Sequence, residues 1–341
     1  MAKSRRLACW IKWNRTQKST SFQPSLAGED RSMQTPWGEI EVQDAHTHFF
    51  GQSFFSALAR QKGVSDNAAM VAALGWDLPP DNNEDLARCW AQELDRHGVA
   101  KSVLIASVPG DEAAVGDAVR AFPDRFYGYF MLNPLADGAL ERAKTAFEEL
   151  GLQGLCLFPA MQGFSVQDAR LGPVYELASE ADNRVVFVHM GVLTVGVRAK
   201  LGLPSKFNMS FSNPIDLHAV AMDHPSANFV LPHFGAGYFR EALMLSSLSP
   251  NVYLDTSSSN SWRKYLTPRP GLHEVFAQAL DVVGPERLLF GSDSSFFPRG
   301  WNREVFDAQC EALEQNGITG VDAEAIFGQN LERLLKPARC H

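Results

Sequence analysis

The sequence predicts an α/β fold: a (β/α)8 TIM barrel with a lid-like insertion after its first strand and a closing C-terminal helix. Three observations carry that expectation. Eight apolar runs rich in β-branched and aromatic residues recur along the chain with helical patterns between them, the mark of parallel strands joined by crossover helices. Several of the runs are apolar throughout, as strands covered on both faces must be. No Gly-rich phosphate-binding turn follows the first run, which argues against a doubly wound open sheet with the same alternation.

The runs, in chain order, are EIEVQDAHTH (39–48), KSVLIASV (101–108), FYGYFMLNP (126–134), GLQGLCLFP (151–159), RVVFVHMG (184–191), NFVLPHFGA (228–236), NVYLDTSS (251–258) and RLLFGSDSSF (287–296). Between the first two lies NEDLARCWAQELDRHG, where Leu86, Trp90 and Leu94 recur at helical spacing and Gly98 marks the end. GALERAKTAFEELG has the same character. Joins from helix to strand are tight, whereas the segments leaving strands are long, at 49–82, 192–213 and 257–270. In a barrel those leaving segments form the face that carries active sites. The first, with Phe49, Phe50, Phe54, Phe55 and Trp76, reads as a partly helical lid with an apolar lining.

Length and composition bound the rest. The chain has 341 residues, 45% of them hydrophobic, which suits a large core. No apolar run reaches the roughly eighteen residues of a membrane span. Net charge is −8, but residues 1–32 carry +5, so the remainder is strongly acidic and nucleic acid is not an expected partner. The partner expected is a small-molecule substrate, with self-association left open. Cys9, Cys89, Cys156, Cys310 and Cys340 are scattered without a Cys-x-x-Cys pair, which fits a reducing cytoplasm rather than a disulfide framework. The basic head, residues 1–32, lacks a long apolar segment and is no secretory signal. It is expected to be disordered, an extension upstream of Met33 or an organelle-type presequence, with one domain over 33–341.

Polar residues cluster at the ends of the predicted strands. In a regular strand Asp44, His46 and His48 share one face, so the two imidazoles can converge. His189, His233 and Asp293 close the fifth, sixth and eighth runs, which brings five metal-capable side chains to one mouth. His97, His218, His224 and His273 fall in helical or helix-terminal segments and read as ordinary structural positions. Imidazoles with a carboxylate suit one divalent metal ion, Zn²⁺ first, with an open position for water. The fourth run holds no lysine, so a carbamylated lysine bridging two ions is not expected. Asp44 is read as a carboxylate that fixes an imidazole tautomer or caps the core.

DAHTH, the lone His after the fifth run, HFGAG, FGSD and the closing IFGQNLERLL together resemble the amidohydrolase superfamily, in its amidohydrolase-2 branch. The resemblance spans residues 40–337. It implies that His46, His48, His189 and Asp293 hold the metal, and that His233 or Asp293 takes a proton from the activated water. It implies a metal-dependent hydrolase acting on an amide, lactone or related bond of a small carboxylate-bearing compound. The alternative it implies is a non-oxidative decarboxylase of an aromatic or muconate-type carboxylate at the same site. Decarboxylases of the branch usually carry a proline after His-x-His and an HPW-like run after the fifth strand. HTHFFGQ and HMGVLTV have neither, which favours hydrolysis. For the substrate's carboxylate Arg299 is the first choice, with Arg263 also following a strand end, and Asn260 is a candidate hydrogen-bond donor to a bound oxygen.

Overall fold

The computed structural model describes residues 31–336. Nearly all of the basic head, with its expected disorder, lies outside the described residues. The fold begins with a two-stranded antiparallel hairpin, β1 (Met33–Thr35) and β2 (Gly38–Ile40), which no sequence pattern announced. Eight parallel strands follow: β3 (Val42–Phe49), β4 (Val99–Ala106), β5 (Phe126–Met131), β6 (Gly154–Leu157), β7 (Val185–Val188), β8 (Asn228–Leu231), β9 (Val252–Asp255) and β10 (Leu288–Leu289). Each of the eight expected runs overlaps one, and they pair in chain order from β3 to β10. The fold is a TIM barrel.

The cylinder closes by an irregular seam between β3 and the segment that follows β10. Ala45 N donates to Phe290 O at 2.8 Å, Asp293 N to His46 O at 3.0 Å and His48 N to Ser294 O at 2.7 Å. Alternation along the strands sorts the apolar side chains. Val103, Ile105, Tyr129, Cys156, Phe187 and Leu289 fill the interior, while Leu104, Ala106, Phe130 and Leu155 pack outward in the larger cluster with the helices. At the strand amino ends the closing helix (Asn330–Leu335) plugs the barrel, with Leu331, Leu334 and Leu335 joining the interior cluster. Gly328 is needed there, because a Cβ would collide with the carbonyl of Glu41.

The long segment after β3 holds three helices, α1 (Gln52–Lys62), α2 (Asn67–Leu74) and α3 (Asn83–His97). The third is the helix read from sequence. Asn82 Oδ1 accepts from Glu84 N at 2.7 Å, Leu86, Trp90 and Leu94 are buried, and Gly98 ends it at φ 74°. Helices α1 and α2 form the lid. Phe54, Phe55, Leu58 and Met70 make a small apolar cluster with Val197 and Leu201 from the loop after β7, separate from the main core. Lys62 Nζ donates to Leu201 O at 2.6 Å and ties the two rim loops together.

Candidate metal centre

The site residues sit where strands stop. His189, His233 and Asp293 lie just beyond the last residues of β7, β8 and β10, so the strands are shorter than the runs suggested. Leaving the ladder lets each side chain turn to the axis. His233 and Asp293 do so with left-handed backbone, at φ 57° and 56°, a conformation that costs a non-glycine residue about 1 kcal/mol or more.

On β3 the structure favours the core-capping reading of Asp44 over the tautomer-fixing one. Asp44 pairs with Ser102 and Thr47 with Leu104, so three steps on β3 oppose two on β4, a bulge that breaks the alternation. Ala45 joins the barrel interior and His46 contacts Phe187, while Asp44 turns to the seam. Its carboxylate accepts from Ser292 N at 3.0 Å, His46 N at 2.9 Å and Trp301 Nε1 at 2.8 Å, and from the Ser292 hydroxyl. Burial nonetheless pushes this carboxyl up to about 6, against those four donors. Asp44 therefore latches the barrel and does not touch an imidazole ring.

The tautomer-fixing carboxylate is Asp255, at the end of β9, which was not singled out from sequence. Asp255 Oδ2 lies 2.6 Å from His46 Nδ1, both fully buried, and Ser257 N donates to Asp255 Oδ1 at 2.6 Å. With Nδ1–H given to Asp255, His46 presents Nε2 to the mouth. Gly291 makes the pairing feasible, since a Cβ there would meet Asp255 Oδ1 and Ser257 Cβ at 2.8 Å and His46 Cβ at 3.0 Å. The Ser257 hydroxyl also reaches His46 Nδ1 at 3.0 Å and His233 Nδ1 at 2.8 Å. The only signal available was an acid ending a buried strand.

His46, His48 and Asp293 each offer a ligand atom, all within 4.8 Å of one another. His48 Nε2 is 3.4 Å from Asp293 Oδ1, and His48 Nδ1 is held by Ser107 Oγ at 2.8 Å. His233 lies beside His46 at 5.0 Å between ring centroids, and His189 beside His233 at 5.2 Å. His189 stands one ring further from the three-residue cluster, and its buried Nδ1 has no hydrogen-bond partner among the described residues. A buried imidazole nitrogen left without a partner is costly unless an ion or ligand engages the ring. Donor types and spacing at His46, His48 and Asp293 fit a divalent cation with mixed imidazole and carboxylate ligands.

Electrostatics point the same way. Burial lowers the pKa of His48, His189 and His233, with the neighbouring imidazoles adding to it, which favours their neutral rings. For His46 burial is outweighed by Asp255, with Asp293 and Asp44 helping, and the pKa rises. Burial likewise pushes the Asp293 carboxyl up, but His48, His46 and His233 outweigh it and keep it well below the usual carboxylate range.

These groups floor a cavity of about 380 Å³. Its walls include Phe50 and Phe54, stacked at 3.8 Å, and Trp76 on Phe296 at 4.0 Å. Arg299 lies on this wall, its guanidinium 4.7 Å over Phe296 and Nη2 donating to Asp293 O at 2.9 Å and Ser295 Oγ at 3.0 Å. Arg263 and Asn260 line a different cavity of about 390 Å³ against the helix Arg303–Gln315. Left-handed residues at Ser258 and Asn260 (φ 78° and 52°) turn that loop aside, and Asn260 Oδ1 accepts from Trp262 Nε1 at 3.0 Å. His97 is structural: it lies 3.2 Å from Glu93 Oε1 and packs on Trp301.

A barrel whose carboxyl-end rim gathers two imidazoles and a carboxylate in one cluster has a donor set that could hold a metal ion. More specifically, the chain belongs to the amidohydrolase family, whose sequence pattern matches residues 44–336. It is 34% identical over 280 residues to Protein fluG of Emericella nidulans, covering 79% of this chain and 30% of that protein. The chain thus spans about a third of that relative's length. Among solved structures, an amidohydrolase from Burkholderia multivorans with bound zinc is 18% identical, with TM-score 0.57 over 87% of this chain and 99% of that one. A 5-carboxyvanillate decarboxylase from Novosphingobium aromaticivorans with bound manganese is 15% identical, with TM-score 0.58 over 87% and 97%. At these identities the likeness is one of fold.

Proposed function

We propose that this chain is a metal-dependent hydrolase that opens an amide, lactone or related bond in a small carboxylate-bearing compound. The observation that carries the reading is the meeting of His46, His48 and Asp293 within 4.8 Å beside His233. With His189 these residues would hold one divalent ion, for which Zn²⁺ is the best match to the donor set. When bound, such an ion acidifies a water and polarises a carbonyl. The chain's own groups do the rest. His233, its Nδ1 engaged by Ser257, presents Nε2 to the cavity, where a neutral ring takes a proton from the attacking water. Asp293, held ionised, is the second acceptor for that proton, and the leaving group receives it as the bond breaks. Arg299 grips the substrate carboxylate, and the wall of Phe50, Phe54, Trp76 and Phe296 keeps bulk water out. We assign the protein to a reducing cytoplasm, consistent with three unbridged thiols at Cys89, Cys156 and Cys310.

The test is metal analysis followed by a substrate panel. Purified protein should carry close to one equivalent of divalent metal, and the His46→Ala, His48→Ala variant should carry none. Lactones, amides and aromatic or muconate carboxylates are then incubated while carbon dioxide is tracked. Hydrolysis without gas supports the reading; carbon dioxide with an unhydrolysed product overturns it in favour of decarboxylation.

A further inference from the structure

Beside the histidine cavity lies a second and larger one, of about 530 Å³. The two share Phe54, Ser107, Met131, Met161 and Val195, so these residues form the neck between them. Beyond the neck the lining changes character. The histidine cavity carries Arg299, Lys200, Asp293 and four imidazoles, whereas Ala57, Leu58, Val108 and Phe207 face the annex. Its cations, Arg198 and Lys206, come from the outer loop, where Arg198 is already tied to Pro204 O at 2.7 Å and to Gln61. An apolar chamber open to a reactive mouth suits an apolar arm of the same molecule. Met131 and Met161 at the neck are unbranched and adaptable, as a passage for a flexible arm requires.

We propose that the substrate is an acyl compound with a carboxylate-bearing head and a long apolar arm, the arm filling this annex. The inference rests on the hydrolytic reading and specifies its substrate class: N-acyl amino acids and the matching esters. The head's carboxylate lies at Arg299, the acyl carbonyl at the histidines, and the chain runs past Met131 and Met161. Hydrolysis adds water across the acyl C–N or C–O bond. The water oxygen ends on the acyl carbon, its proton on the departing amine or alcohol, and the arm leaves as a free fatty acid. No other reactant is needed.

The experiment is calorimetric binding of N-acetylglycine, N-hexanoylglycine and N-decanoylglycine to the full, zinc-loaded chain, with turnover assayed separately. Affinity should rise roughly tenfold or more from acetyl to decanoyl, since each methylene buried is worth up to about fourfold. Ala57→Trp fills the annex without lining the histidine cavity. It should erase the gain for decanoyl while leaving acetyl binding and zinc content unchanged. Val108→Phe narrows the chamber from the other wall and should do the same if the first variant fails to fold. Equal affinity along the series, no binding by any member, or loss of acetyl and decanoyl binding together would each overturn the proposal. Chain-length-dependent binding without turnover would sink the hydrolytic reading and leave the annex standing, which keeps the two failures distinguishable.

Discussion

The Nδ1 of His46 on β3 lies 2.6 Å from Oδ2 of Asp255 at the end of β9, a buried pair that crosses the barrel seam. The carboxylate sets which nitrogen of His46 faces the mouth. Asp255→Asn preserves the volume but removes the charge, and metal affinity is expected to fall about 10- to 100-fold. Competition against a chromophoric chelator measures it, and unchanged affinity would remove Asp255 from the site.

Chelation tests the same centre as a source of stability. A ligand that binds only the folded chain stabilises it by about 2.7 kcal/mol at a hundredfold excess over Kd. Stripping the metal should therefore lower the melting temperature, with recovery on re-addition. The variant lacking His46 and His48 should not respond to either step.

Acid should destabilise the metal-free protein between pH 7 and 5. His48, His189 and His233 have pKa values lowered by burial, so the unfolded chain takes up protons that the native rings resist. Stability from a lowered pKa is present above the unfolded value of 6.5 and is lost as pH falls below it. Asp44, raised to about 6 by burial, acts in the opposite sense by taking a proton in the native state, and offsets part of the loss. His46, with its pKa raised, contributes stability below 6.5 that fades as pH rises through its folded value. Urea melts at pH 7, 6 and 5 check the balance; a flat profile would contradict three rings held neutral.

Gly191, two residues past His189, has φ 84°, and a Cβ there would drive into the carbonyls of Gly235 and Ala236. Gly191→Ala should cost at least about 2 kcal/mol, with backbone strain and overpacking acting together. Gly151, at φ 68° with nothing within 4 Å of the same position, is the control. Gly151→Ala should cost about 1 kcal/mol, from conformation alone. Equal losses in denaturant titration would mean that the approach of the loops after β7 and β8 is not tight.

Trp301 Nε1 donates to Asp44 at 2.8 Å in a site closed to water. Trp301→Phe removes that donor and leaves a buried carboxylate short of a partner, at a cost of about 1–3 kcal/mol. If unfolding in urea shifts by less than a few tenths, the latch assigned to Asp44 is wrong.

The barrel was legible because strands buried on both faces read as apolar runs whatever their neighbours. The hairpin of β1 and β2 was not, since three-residue strands leave too little pattern. For the site, His46, His48 and Asp293 stood out because ligand chemistry restricts residue type. Asp44 misled because alternation assumes a regular ladder, and the bulge between Asp44 and Thr47 is set by pairing with β4, which no local pattern encodes. Asp255 was hidden for the converse reason: one acid at a strand end is common. The aim of the loop carrying Asn260 and Arg263 depends on left-handed backbone at Ser258 and Asn260, of which only the asparagine is a residue type that favours it.

At only two residues, β10 is too short to finish the cylinder, and the contacts that close it run through Asp44, His46, His48 and Asp293 themselves. Geometry for chemistry and integrity of the fold are thus written in the same few residues, so evolutionary change there is penalised twice. Helices α1 and α2 stand outside the barrel ladder with a small core of their own. New substrate preferences would therefore arise most readily in that roof, while the rim beneath it stays fixed.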